Sequence, residues 1–129
     1  MTLVDTSVWV EVFRRRDPLD LERVVDLEEV VTCLPVVQEV LQGFRDERAF
    51  RLARDSMLAL PMVDSPLPVE RHLEAVDLYR LCRSRGLSVR SSVDCLVAAS
   101  AVRHDLEVLH RDRDYAHIAR VAPLRQRNA

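Results

Sequence analysis

No lysine occurs anywhere in this chain, and its 129 residues include only two glycines, Gly43 and Gly86. The shortage of glycine excludes more. A phosphate-cradling Walker loop and a dinucleotide-binding turn each need several glycines in a short run, so both chemistries are ruled out. No G-x-S-x-G segment is present to expose a serine nucleophile. Cys33, Cys82 and Cys95 lie far apart and form no C-x-x-C pair. That spacing fits neither zinc, a redox dithiol nor a disulfide framework, and the three read as core thiols. His72, His104, His110 and His117 contain no i, i+4 metal-binding pair. Any catalysis by this chain rests on carboxylates.

The absent lysine leaves 19 basic residues that are all arginine. Arginine suits bidentate phosphate recognition, although the coding bias of a GC-rich genome produces the same composition. A long hydrophobic run is also missing. The apolar start MTLVDTSVWVEVF is broken by Asp5 and Glu11, and Arg14 to Arg16 follow it rather than precede it. This fits neither a signal peptide nor a membrane span, so the expected location is cytoplasmic. At 48% hydrophobic and 31% charged, the chain has ordinary globular composition, and its length predicts one domain over residues 1–129.

Short apolar runs alternate with segments of helical period. TLVD, a short apolar run ending in Asp5, reads as a strand, and Thr6 and Ser7 offer caps for a helix over VWVEVFRR. PLDLERVVDLEE reads as a helix opened by Pro18, VVTCL as a β-branched strand, and PVVQEVLQG as a helix between Pro35 and Gly43. DERAFRLARDSMLAL and VERHLEAVDLYRLCRSRG predict a helical hairpin. The linker PMVDSPLP between them holds a short strand at Met62 and Val63. SVDCLVAASA is a buried helix, LEVLH a strand, RDRD a turn, YAHIARV a helix, and Pro123 to Arg125 a last short strand. The pattern predicts an α/β fold with a short, mostly parallel central sheet covered on both faces.

In such sheets, sites form beyond the carboxyl ends of the strands. The acids fall there: Asp5 after the first strand, Glu39 on the helix after the second, Asp94 at the start of the buried helix, and Asp112 and Asp114 after LEVLH. Each also has a purely structural reading. Asp94 can complete a capping box with Ser91, Asp5 and Asp114 can cap the helices that follow them, and Glu39 can face solvent beside Gln38 and Gln42. Brought together, however, these carboxylates repel, and a hard divalent cation such as Mg²⁺ is the group that reconciles them.

The segments LVDTSVWVEVF, PVVQEVLQG, SVDCLVAASA and VLHRDRDYAHIARV, in this order and spacing, resemble the PIN-domain family and within it the VapC toxins of bacterial toxin-antitoxin modules. The V-D-T-S start and the D-x-x-x-A-A-x-A helix followed by H-R-D-R-D-Y are the specific parts, while residues 45 to 85 match only in type. The resemblance implies a PIN-like three-layer α/β/α fold and a Mg²⁺-dependent endoribonuclease, with Mn²⁺ as a substitute. It further implies a homodimer silenced by a VapB-like antitoxin whose C-terminal segment covers the acidic crevice. Asp5, Glu39, Asp94 and Asp112 match the family's acidic quartet, Asp114 is an additional acid, and Ser7 matches a supporting hydroxyl.

A metal held by these acids polarises a phosphodiester and activates a water for in-line attack on RNA. The substrate's charge must be met elsewhere: setting four site acids aside leaves 17 acidic residues against 19 arginines, and Arg14 to Arg16, Arg45, Arg48, Arg51, Arg111 and Arg113 are candidates for phosphate contacts, although a solvated helix surface is the simpler reading of any one and no RNA contact is assigned. Two other classes fit less well. An aspartyl-phosphate phosphatase or receiver domain needs a D-x-D start or a downstream lysine, and neither exists. The calcium-loop reading of DRDYAHIARVAP fails at His117 and Pro123, where Gly and Glu are required. The remaining alternative is a catalytically inactive PIN-like module that binds RNA or protein, and the retention of every matched acid argues against it.

Overall fold

The computed structural model describes residues 1–129. Its centre is a four-stranded, all-parallel sheet of order β2-β1-β3-β4, formed by β1 (Thr2–Val4), β2 (Val30–Val31), β3 (Glu107–His110) and β4 (Arg125–Asn128). Leu3, Val4, Val108 and Leu109 are fully buried. They pair directly across β1 and β3, Leu3 with Val108 and Val4 with Leu109, as apolar runs do in a sheet covered on both faces. Six helices pack around the sheet: α1 (Thr6–Val12), α2 (Leu34–Gln42), α3 (Glu47–Leu58), α4 (Val69–Ser84), α5 (Ser92–Arg103) and α6 (Asp114–Ala119). The chain moves outward one way from β1 to β2 and the other way from β3 to β4, so the crevice where the strand order reverses lies between the ends of β1 and β3.

Four expectations need correction. Residues 18–29 form no helix but two single 3₁₀ turns, Leu21–Arg23 and Leu27–Glu29. Asp20 and Asp26 each accept from the backbone N–H two residues on, and these local bonds restart the chain at each aspartate while Leu21 and Val25 bury themselves. α1 starts at Thr6, capped by Asp5 rather than by Thr6 or Ser7. The last strand begins at Arg125, two residues after Pro123, which has no N–H for a ladder. Its sequence RQRN is that of a charged edge strand, which hydrophobic patterning cannot reveal.

The fourth correction concerns the expected hairpin. α3 packs on α2, while α4 packs on α5. The linker between them runs along the sheet edge: Thr32 N–H donates to Pro61, Val63 N–H donates back to Thr32, and Thr32 and Met62 form the parallel bridge that the Met62–Val63 strand reading anticipated. That path delivers the buried face of α4, including Ala75, Leu78 and Cys82, onto α5. The cysteines are core thiols, as expected. Burial pushes Cys33 up to about 11 and Cys95 up to about 12, so neither is a ready nucleophile.

Candidate metal centre at the β1/β3 crevice

Asp5 leaves the end of β1 buried, with its side chain fixed at both oxygens. Oδ2 accepts from the backbone N–H of Ser7 at 3.0 Å and from the Ser7 hydroxyl at 2.5 Å. Oδ1 accepts from the phenol of the fully buried Tyr115 at 2.5 Å. Asp5 thus caps α1, as its structural reading held, but that role occupies only one oxygen. The Ser7 hydroxyl also accepts from the N–H of Arg111 at 2.9 Å, which ties the end of β1 to the turn after β3.

Asp94 occupies the first turn of α5 and is only 4% exposed. The capping-box explanation for it fails. Ser91 makes no side-chain cap bond, and its N–H donates to Asp114 Oδ2 at 3.1 Å, beside the N–H of Arg90 at 3.0 Å. Asp114 in turn is the first residue of α6 rather than its cap. Its buried carboxylate therefore holds the entry to α5. Asp112 is half-buried and accepts from the Asp114 N–H at 2.9 Å.

Asp94, Asp112 and Asp114 each place a carboxylate oxygen within 4.8 Å of the others. Asp5 joins them through Tyr115, whose hydroxyl stands 3.3 Å from Asp94 Oδ1. Glu39 lies outside the tight group, half-buried on α2, where the Thr6 hydroxyl donates to it at 2.8 Å. The solvent-facing reading of Glu39 is thereby overturned: Thr6, next to Asp5, fixes its carboxylate toward α1. Both acids of the RDRD turn approach Asp94, the half-buried Asp112 and the buried Asp114 alike.

Charge in this crevice is uncompensated. The chain's ion pairs engage Glu11, Asp20, Asp55, Asp64, Glu74, Asp105 and Glu107, and none reaches Asp5, Glu39, Asp94, Asp112 or Asp114. Asp94 Oδ2 and Asp114 Oδ1 are buried without any hydrogen-bond partner. Burial, then the nearby Asp5, Asp114 and Asp112, push the Asp94 carboxyl up to about 9. Near neutral pH Asp94 thus stays protonated while no cation is bound. Tyr115 is likewise held protonated by burial and by Asp5 and Asp94, so its phenol remains a donor. Two buried carboxylate oxygens without hydrogen-bond partners, and without an arginine at ion-pair distance, are a donor set for a hard divalent cation, which can displace that proton.

Sequence reasoning missed Tyr115 and His110 as parts of this centre. Their place in H-R-D-R-D-Y was visible, but the bonds they make run to residues more than a hundred or sixteen positions away, which periodicity does not encode.

A fold with a four-stranded parallel sheet and acids gathered at its β1/β3 switch point is that of a PIN domain, and the PIN domain family model matches residues 2–121. The chain belongs to the PIN-domain family, in its VapC group. It is 34% identical to the VapC ribonuclease Mb1587 of Mycobacterium bovis and to Ribonuclease VapC11 of Mycobacterium tuberculosis, in each case over 96% of this chain and 96% of the relative. Among solved structures it superposes on VapBC-5 of Mycobacterium tuberculosis, a member of the VapBC family of toxin-antitoxin systems, with a TM-score of 0.74. That likeness covers 99% of this chain and 98% of the other at 20% identity.

Proposed function

We propose that residues 1–129 act as one PIN-like unit, a divalent-cation-dependent endoribonuclease that serves as the toxin of a VapBC-type module. The observation that carries this reading is the pair of orphaned buried oxygens on Asp94 and Asp114 in a crevice no arginine neutralises. The relatives named as ribonucleases supply the substrate class. Asp5, Asp94, Asp112 and Asp114 would hold the cation, Mg²⁺ by preference for hard oxygen donors and Mn²⁺ as a substitute. When bound, it supplies Lewis acidity toward the phosphodiester and an activated water. Glu39, oriented by Thr6, is the carboxylate left to orient or take a proton from the attacking water. Ser7 keeps Asp5 aimed, and Tyr115 keeps Asp5 beside Asp94.

The partners follow from the same reading. An antitoxin silences the enzyme by covering the acidic crevice, in keeping with the toxin-antitoxin character of the solved neighbour. A homodimer is supported by the outer face of α4, where Val69, Leu73 and Val76 stand 70%, 60% and 52% exposed at helical spacing. No helix of the chain is long and apolar enough to cross a membrane, and the cytoplasm, where RNA and antitoxin meet it, is the proposed location. An inactive binding module has no use for five acids left without counter-charges. Incubation with total cellular RNA in Mg²⁺, in Mn²⁺ and in chelator, with mapping of the cut ends, tests the activity. Discrete ends that appear only with metal are expected, and intact RNA under all three conditions would sink the proposal. Induced expression should arrest growth, and co-expression of the cognate antitoxin should restore it.

A further inference from the structure

His110 ends β3 almost fully buried, and its ring lies 5.0 Å from that of Tyr115. Both ring nitrogens are engaged. Nδ1 stands 3.1 Å from the backbone nitrogen of Asp112, which can only donate, so Nδ1 carries no proton. The proton therefore sits on Nε2, which donates to Gln126 Oε1 on edge strand β4 at 2.5 Å. Two partners of opposite type thus fix one neutral tautomer. Beyond Asp112 the bonds continue: Asp112 Oδ1 accepts from the Asp114 N–H, and Asp114 Oδ2 accepts from the N–H groups of Arg90 and Ser91. One continuous chain of hydrogen bonds runs from β4 through the imidazole and both acids of the turn to the start of α5, where Asp94 stands.

We propose that His110, held as its Nε2–H tautomer by Gln126, is a positioning residue that sets the conformation in which Asp112 and Asp114 face Asp94, so that edge strand β4 governs the crevice's affinity for a divalent cation. This rests on the reading of the crevice as a cation site. Packing alone does not account for the arrangement, because a phenyl ring would fill the same volume against Tyr115 while offering nothing to the Asp112 N–H. Asn offers the converse, since its Oδ1 lies where Nδ1 lies along the side chain.

The test is calorimetric titration of the folded protein with Mn²⁺ alone, together with amide hydrogen exchange at Asp112 in the metal-free state. Groups that orient metal ligands are worth about 10- to 100-fold in affinity, so His110→Phe should lose about that much and speed exchange at Asp112. His110→Asn should stay within about threefold of the parent, because the acceptor is retained. Gln126→Leu, on the half-exposed strand, should fall between them, with ¹⁵N spectra showing the imidazole no longer confined to one tautomer. Should His110→Phe fail to fold, Gln126→Leu carries the test by itself. Equal Mn²⁺ affinity in the parent, His110→Phe and Gln126→Leu would overturn the proposal while leaving the metal centre standing. Absence of Mn²⁺ binding by the parent would overturn both.

Discussion

Two buried carboxylates contact α5 and reach opposite chemical states. Asp64, in the linker before α4, is surrounded by donors: Arg71 Nε at 2.8 Å, the Ser100 hydroxyl at 2.7 Å and His104 Nε2 at 3.0 Å. Burial alone would raise its carboxyl, but the bonds from Arg71, His104 and Ser100 outweigh it and hold the group down at about 2. Asp94, six residues before Ser100 on the same helix, meets only other acids and the Tyr115 phenol, and is pushed up to about 9. A carboxylate supplied with a cation and donors is a structural tie, here one that holds the left-handed backbone of Asp64, at φ +51°, and docks the linker onto α4 and α5. A carboxylate buried without them carries a charge that the chain itself does not match.

The largest expected effect is at the satisfied site. Arg71→Met should destabilise the fold by about 3 to 5 kcal/mol, because Asp64 would be left buried without its cation. Denaturant unfolding reads this, and a loss below about 1 kcal/mol would place Asp64 in effective contact with water. At the unsatisfied site the effect moves from stability to chemistry. Asp5→Ala or Asp94→Asn should lower metal-dependent RNA cleavage at least about a hundredfold, since metal-assisted stabilisation of transition-state charge is worth several kcal/mol. Folded, soluble variants that cleave at the parent's rate would return the crevice to a structural role.

The pH dependence should also split. Asp94 keeps its proton when folded up to about 9, whereas an unfolded aspartate loses it near about 3.9. Its contribution is therefore fully present below about pH 4 and lost as pH rises toward 9, by up to about 1.4 kcal/mol per unit in metal-free protein. Asp64 has the opposite sign, contributing above about pH 4 and losing that contribution as pH falls toward 2. Thermal unfolding against pH in chelator should show the alkaline slope in the parent and not in Asp94→Asn. A smaller effect is expected at the rim of the site. Thr6→Val removes the single hydrogen bond that orients Glu39 and should slow cleavage by roughly three- to tenfold with little change in melting temperature.

The positions of Asp5, Asp94, Asp112 and Asp114 were legible because strand ends and helix starts are local features, that of Glu39 because its helix directly follows a strand, and β1, β3 and α5 because apolar runs announce them. Asp64 was invisible inside PMVDSPLP, since its partners Arg71, Ser100 and His104 come from two other helices. His110 and Tyr115 stood inside a recognised motif, yet their roles depend on Gln126 and Asp5. Residues 18–29 misled for a different reason. Their apolar spacing is helical, but Asp20 and Asp26 offer the backbone closer partners than a helix would. β4 was shifted because a charged edge strand has no apolar period to read.

Asp94 as part of a cation site and Asp94 as a helix cap give opposite signs for one substitution. The measurement is unfolding of the parent and Asp94→Asn at neutral pH, in chelator and in Mg²⁺ of roughly millimolar concentration, where a bound ligand stabilises by RT ln(1 + [L]/Kd). In chelator Asp94→Asn is expected to be more stable than the parent by about 1 kcal/mol or more, because the variant needs no proton taken up at that position to be buried among the other acids. Added Mg²⁺ should then stabilise the parent and leave the variant almost unmoved. A variant that is less stable in chelator by about 0.5 to 1 kcal/mol, as the loss of a helix-dipole partner would make it, and that gains as much from Mg²⁺ as the parent does, would contradict the account.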